Sequence, residues 1–303
     1  MNTRRFNGPW QGKMDSLSGF EKWKGYGFIF LAASLWGLMG PFGKLAFQEG
    51  VSPLEVAFWR AFLAWLLFGA QAIVQKSIRV EIKDLPGLAL FGFVSVALFF
   101  GSYQMAVDRC GAALASVLLY TAPVWVVLLS RLFFSEPFTR SKLSALLFTV
   151  IGVGFISLNQ GGDVLGSGPG FSDILLGLVA GFCYSLYYIM GKTYSTRYSA
   201  PLLFLYILPV GAGSLVPGFE FAEKTALAWL ALGFVGILST YAAYHFYYAG
   251  LKRVEAGRAS IVATIEPVMA GVVAWLWWDE AFTLIGYAGA VLIILAVVIM
   301  IRD

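Results

Sequence analysis

The chain has 303 residues, of which 59% are hydrophobic and only 13% charged; its mean hydropathy is +0.77 and its formal net charge +4. Soluble domains carry about 25% charged residues, so this composition excludes an ordinary soluble globule and points to a surface that faces lipid. The basic balance does not indicate a nucleic-acid partner, because no basic stripe with interleaved aromatics is present and membrane proteins gather Lys and Arg on their cytoplasmic side.

Residues 1–24 include Arg4, Arg5, Lys13, Lys22 and Lys24 without an apolar run of signal length, and read as a polar cytoplasmic tail. A helix that crosses the hydrocarbon core needs about 20 apolar residues. Five segments meet this in the first half: Gly25–Phe47, Ser52–Val74, Leu85–Val107, Gly111–Phe134 and Lys142–Leu158. A Gly- and Ser-rich loop over 160–170 follows. Five more come after it: Phe171–Tyr194, Ala200–Val216, Ala226–Leu251, Ala256–Trp278 and Phe282–Ile301. These are continuous apolar runs rather than alternating ten-residue segments, so the pattern predicts an all-α integral membrane protein of ten transmembrane helices and not a β-barrel.

With the tail placed in the cytoplasm, all of the 21 Lys and Arg residues fall on the cytoplasmic side except Lys44, Arg60, Arg109 and Lys224. The positive-inside rule then predicts a multi-pass protein with both termini cytoplasmic. Two cysteines, Cys110 and Cys183, make neither a disulfide framework nor a Cys-rich metal site, and His245 is the sole histidine. No metal and no cofactor is expected.

The chain repeats itself. Tyr103 to Arg109 resembles Tyr247 to Arg253, and Ala112, Ala115, Ser116, Pro123 and Glu136 fall on Ala256, Ala259, Ser260, Pro267 and Glu280, each pair 144 positions apart. Earlier in each half, Gly43, Lys44 and Pro53 match Gly191, Lys192 and Pro201 at a spacing of 148. This predicts two five-helix repeats, 25–159 and 171–303. Five is odd, so the second repeat enters the membrane upside down relative to the first. Inverted repeats are the architecture of many secondary transporters.

The segments Ser116…Tyr120-Thr-Ala-Pro123…Ser135-Glu136 and Ser260…Ile265-Glu266-Pro267…Asp279-Glu280 resemble the repeated signature of EamA-domain proteins of the drug/metabolite transporter superfamily. Leu35-Trp36-Gly37 and Phe58-Trp-Arg60 resemble the first and second helices of that family. The resemblance covers Gly25 to Ile301. It implies a ten-helix inverted-repeat fold with a central cavity lined by helices 1, 3, 4, 6, 8 and 9. It also implies a place in the plasma membrane (the inner membrane of a bacterium) and export of amino acids and related metabolites. The chain departs from strict duplication at two points: Ala122 stands where the second half has Glu266, and Leu208 stands where the first half has Arg60.

A charge within the bilayer costs at least ~2.5–3.5 kcal/mol, which makes each one a candidate for function. Glu266 lies near the middle of helix 9. Two readings are open: a cavity carboxylate that binds an amine or takes up a proton, or a structural group that caps backbone freed by Pro267. Arg60 is either a clamp for a substrate carboxylate or a structural or snorkelling guanidinium. Glu55 and Lys44 read as interfacial, and Lys192 and His245 as lying near cytoplasmic helix ends. Pro123 and Pro267 each remove a helix hydrogen bond and are candidate hinges at matched sites. Trp36, Tyr103, Tyr120, Tyr184, Tyr188, Tyr244 and Tyr248 are candidate substrate contacts. Tyr184, Tyr187 and Tyr188 share one helical face, as do Tyr241, Tyr244 and Tyr248.

The sequence thus predicts a non-enzymatic secondary transporter that exports or facilitates amino acids or related small metabolites by alternating access, with a small-molecule substrate and the lipid bilayer as its partners. No Walker-type loop is present for ATP-driven pumping. The alternative is an intramembrane enzyme acting on a lipid or isoprenoid, which needs clustered acids or a bound metal.

Overall fold

A computed structural model describes residues 18–159, 170–279 and 281–302. Most of the predicted tail, the loop over 160–169 and Glu280 lie outside the described residues. Ten helical stretches are long and apolar enough to cross a membrane, and among the described residues there is no β-strand. Large apolar side chains such as Val74, Leu132 and Phe133 stand exposed on the outside, where lipid would meet them.

The first span is two helices, α1 (Gly19–Gly37) and α2 (Met39–Gln48), separated at Leu38. The break follows from Pro41, which supplies no N–H to the turn before it. The second span is α3 (Pro53–Val74), whose N-cap Ser52 accepts from the Glu55 amide. The third contains α4 (Leu85–Gly92), a π-helical turn over Phe93–Leu98, and the start of α5 (Phe99–Leu119). The fourth is the rest of α5 and α6 (Ala122–Phe134), and the fifth is α7 (Arg140–Asn159). Spans six and seven are α8 (Phe171–Tyr194) and α9 (Ala200–Leu215). Span eight joins α10 (Ala226–Gly236), a π-helical turn over Ile237–Ala242, and α11 (Ala243–Leu251). Span nine is α12 (Ala256–Ala263) and α13 (Glu266–Trp278), and span ten is α14 (Leu284–Arg302).

The sequence places a turn between spans three and four at residues 108–110, whereas helix α5 bridges that point. It is not a straight rod. Tyr103 Oη lies 3.4 Å from Ser116 Oγ, and thirteen residues of straight α-helix would set them about 20 Å apart. The chain folds back between them, so the two spans still run side by side.

Local structure recurs at the spacing of the repeat. The π turns begin at Phe93 and Ile237. Helices α6 and α13 begin at Ala122 and Glu266, end at Phe134 and Trp278, and are followed by left-handed Ser135 (φ 57°) and Asp279 (φ 56°). Each pair is 144 positions apart. A left-handed non-glycine residue is uncommon, and its recurrence at matched positions shows that the backbone plan of these segments is duplicated along with the sequence.

Side-chain contacts identify the two faces. Arg253, between α11 and α12, donates to Glu21 near the start of α1 at 2.9 Å, and Arg258 donates to the Met300 carbonyl near the end of α14 at 3.3 Å. Both ends of the described helical region therefore share one face, termed here the terminal face. On the opposite face Thr225 donates to Glu49, and Lys224 pairs with Glu55. Glu55, in the first turn of α3 at this end, is fully buried within the protein. The segment after α9 folds over the end of α3 and supplies both the Lys224 ammonium and the Ala222 amide, while Trp59 Nε1 donates from within α3.

Small residues set the closest helix contacts. A Cβ on Gly152 of α7 would lie 2.8 Å from the Gly289 carbonyl of α14, and a Cβ on Gly37 of α1 would lie 2.7 Å from the Glu266 carbonyl. Spans 1, 8 and 9 pack together, as do spans 3, 4 and 6. The largest buried apolar cluster draws residues from all ten spans.

Candidate functional site

The helix breaks in spans four and nine are where the site is built. A proline ring clashes with the carbonyl four residues earlier and supplies no N–H. Pro123 and Pro267 accordingly stand in the first turn of α6 and α13, directly after each break. At each break a threonine hydroxyl turns back on the preceding helix: Thr121 donates to the Leu118 carbonyl and Thr264 to the Ile261 carbonyl. The prolines thus mark two short helices laid end to end, rather than a kink within one.

A tight crevice, with no room for a water molecule, lies beside both breaks. Tyr120, Ala122 and Pro123 line it from span four, Tyr184 and Tyr188 from span six, and Ser260, Ala263 and Thr264 from span nine. Tyr188 donates to Tyr184 Oη at 3.2 Å. Glu266 begins α13 at the break. The groups that act on its carboxylate are Arg60, through charge, and Tyr120, through hydrogen bonding. Of the residues singled out from sequence, Glu266, Tyr120, Tyr184, Tyr188, Tyr103 and Arg60 thus belong to one neighbourhood.

Arg60 does not snorkel. It is buried, donates from Nε to Thr240 Oγ1 at 3.2 Å, and its guanidinium sits 4.7 Å from the centre of the Phe100 ring. Thr240 belongs to the π turn of span eight and donates in turn to the Val235 carbonyl at 2.8 Å. The π turn therefore presents the hydroxyl that holds the arginine. π turns are rare and gather at functional positions. Ser95 and Ser239, matched within the two π turns, are both buried without a hydrogen-bond partner.

Trp36, Tyr244 and Tyr248 lie in an aromatic cluster that adjoins the cavity residue Tyr188 through Tyr247, 5.5 Å away. Trp36 stands 5.3 Å from Tyr247 and 5.9 Å from Tyr244, and Phe204 stacks on Tyr244 at 4.5 Å. Tyr187 joins them, 5.7 Å from Tyr247. Trp36 Nε1 and the hydroxyls of Tyr187, Tyr247 and Tyr248 are buried and unpartnered. Tyr241 is drawn apart: its hydroxyl and His245 Nε2 both meet Gln71 Oε1, at 2.9 and 2.7 Å. His245 is thus a hydrogen-bonded interhelical contact.

One cluster was not legible as a unit in the sequence. Glu136 accepts from the Ala256 and Gly257 amides at 2.7 and 3.1 Å, which caps α12 from another span. Lys142 lies 3.5 Å from Glu136 and 2.9 Å from Glu255, and Lys192 lies 3.7 Å from Glu136. Lys142 and Lys192 read as flanking charges in the sequence, yet both are buried. The signals were the duplicated glutamate at 136 and 280 and the duplicated lysine at 44 and 192.

The EamA-like transporter family matches this chain over residues 23–158 and 171–302. The chain is 30% identical over 276 residues to an uncharacterized transporter of Archaeoglobus fulgidus, spanning 91% of this chain and 95% of that protein. It is 29% identical over 266 residues to the uncharacterized transporter YdfC of Bacillus subtilis, spanning 86% and 85%. It is 25% identical over 285 residues to the uncharacterized inner membrane transporter YedA of Escherichia coli, spanning 91% and 90%. A protein of known crystal structure superposes with a TM-score of 0.79 over 91% of this chain and 95% of that one, at 17% identity, which is a likeness of fold.

Proposed function

This chain belongs to the EamA-like transporter family, and we propose that it moves amino acids or related small zwitterions across the plasma membrane by alternating access, as an exporter or facilitator. The observation that carries this reading is that the Arg60 guanidinium acts by its charge on the Glu266 carboxylate beside the break in span nine, at positions where the other half of the chain has Leu208 and Ala122. A partly buried carboxylate and a buried guanidinium close to one small crevice suit a ligand that carries an ammonium at one end and a carboxylate at the other. The surrounding tyrosines supply hydroxyls and ring faces for the ammonium and the ligand body.

The recurrence of π turns, helix breaks and left-handed caps at one spacing supports two equivalent halves. An odd number of spans in each sets them in opposite orientation. In such an arrangement the two halves exchange conformations to open the cavity first to one side and then to the other. The terminal face is the cytoplasmic one on this reading, as the distribution of Lys and Arg favours.

The test is counterflow in proteoliposomes. Vesicles loaded with an amino acid should accumulate the labelled form against its gradient, and neither the decarboxylated amine nor the N-acetylated acid should replace it. Equal exchange of the bare amine would remove Arg60 from the site. Absence of saturable exchange for every zwitterion offered would overturn the reading.

A further inference from the structure

We propose that the opposite face carries a binding site for protonated primary amines, a cage formed by Glu55, Trp59, Phe221 and Trp229, which the chain's own Lys224 fills as a tethered competitor. The cage is separate from the site around Glu266 and Arg60, and the proposal does not rest on the transport reading.

The Lys224 ammonium meets one carboxylate, one carbonyl and three rings. It pairs with Glu55 and donates to the Ala222 carbonyl. It stands 5.3 Å from the centre of the Trp59 ring, 5.7 Å from Phe221 and 5.8 Å from Trp229. A cation within about 6 Å of a ring centre is drawn to the ring, and several rings around one cation recognise organic ammonium ions. The side chains of Glu55 and Lys224 are 0% and 6% exposed. Trp59 Nε1 and the Ala222 amide also donate to Glu55, at 3.1 and 3.2 Å. The carboxylate is thus held in place by groups other than the lysine.

The cage joins two helix starts to one strap. Glu55 and Trp59 belong to the first two turns of α3, and Trp229 to the first turn of α10. Their indole rings meet edge to face at 4.8 Å. Phe221, Ala222 and Lys224 belong to the strap over 216–225, which links α9 to α10 outside either helix. Phe221 and Trp229 are exposed, so the rim of the cage can be reached from outside. Glu220 and Glu223 on the strap are exposed as well, and Thr225 at its end donates to Glu49. These carboxylates draw a cation toward the rim and disfavour a ligand that brings a carboxylate of its own.

A lysine on a short strap competes as an intramolecular ligand, at an effective concentration on the order of millimolar. The cage is therefore hidden while the strap is down, and a free amine enters when Lys224 leaves. Glu55, Trp59 and Trp229 remain to receive it. The strap also reaches inward. Phe219 packs with Leu54 and Phe100 against Ala57, Ala97 and Leu215, and Phe100 carries the Arg60 guanidinium on its ring. An amine that releases the strap thus loosens a contact that leads to Arg60.

Methylammonium tests this on the full-length chain in detergent. Lys224→Ala vacates the cage. Its melting temperature should fall, and methylammonium chloride should restore it saturably, while sodium chloride and glycine at the same concentration should not. Glu55→Gln added to Lys224→Ala should abolish the restoration. In the wild-type chain, hydrogen exchange over 219–225 should rise with methylammonium, about elevenfold at about ten times its dissociation constant, because a ligand that binds only the open form raises its population in that ratio. Exchange in other segments should not change. Three results would each overturn the site: no restoration in a folded Lys224→Ala chain, restoration that survives Glu55→Gln, or wild-type strap exchange that methylammonium leaves unchanged or raises only together with every other segment. The wild-type measurement decides even where Lys224→Ala does not fold. None of these results bears on zwitterion counterflow, so the transport reading stands or falls separately.

Discussion

Arg60 reaches Thr240 across the boundary between the two halves of the chain, with Nε 3.2 Å from Oγ1. At the corresponding positions of the other half stand Leu208 and Val96, which make no such bond. The pair is a polar addition to one copy of a duplicated frame. Removing the Thr240 hydroxyl by Thr240→Val deletes a hydrogen bond to a charged group, worth about 1.5–3 kcal/mol. The expected outcome is weaker binding of zwitterions in a thermal-shift titration, with the amine analogues unaffected. A loss of melting temperature with no change in binding would assign the arginine to structure alone.

Glu266→Gln keeps the size of the side chain and removes its charge. It is expected to reduce counterflow at least tenfold while leaving the chain folded, the effect of losing about 1.4 kcal/mol or more of ligand interaction. Tyr120→Phe, which removes the hydroxyl that bonds Glu266, should give a smaller loss. Wild-type counterflow in Glu266→Gln would exclude the carboxylate from ligand binding.

Glu136→Ala removes the acceptor for two amides at the start of α12 and leaves Lys192 and Lys142 with fewer counter-charges. Breaking a buried pair by truncating one partner costs about 3–5 kcal/mol. A large drop in melting temperature in detergent is expected, and a drop of only a degree or two would mean that water replaces the carboxylate.

Glu255 sits between spans eight and nine. Burial pushes its carboxyl up, but Lys142, Arg258 and Lys192 together pull it further down, so it titrates below the usual carboxylate range. A depressed folded value means that its stabilising contribution is complete above the unfolded pKa of about 4.3 and is lost as pH falls through the lower folded value. Melting temperature should hold between neutral pH and about pH 5 on this account and decline below it. Glu255→Gln should start lower at neutral pH and show a shallower decline. Parallel curves for the two proteins would contradict the pairing.

Gly152→Val places a branched side chain against the Gly289 carbonyl, where even a Cβ would come within 2.8 Å. Overpacking of this kind costs about 1–3 kcal/mol. Because spans five and ten lie away from the cavity-lining residues, the expected signature is a lower melting temperature with ligand affinity retained.

The ten spans were legible because the hydrocarbon core imposes a length and composition that no soluble core requires. Tyr120 and Glu266 are legible as lying beside the two matched proline sites, and Tyr184 and Tyr188 as candidates only through the cavity lining that the family resemblance implies. Three features were not. Tyr241 was read on one face with Tyr244 and Tyr248, but a π turn covers Tyr241, and a wide turn changes the angular step that the reading assumes. The burial of Glu55 is not legible because its partner Lys224 is distant in sequence. Lys142 and Lys192 were read as flanking charges because the positive-inside rule counts a lysine without regard to what it touches.

The carboxylate that finishes the start of α12 is supplied by Glu136, a residue 120 positions earlier in the chain, and the N-cap residue Glu255 makes no side-chain cap of its own. Synthesis proceeds from the N-terminus, so spans four and five are in the membrane before span nine leaves the ribosome. The late helix therefore docks onto a receptor that is already waiting. That bond has a direction in the order of synthesis: the amides at the start of α12 stay bare until the second half meets the first.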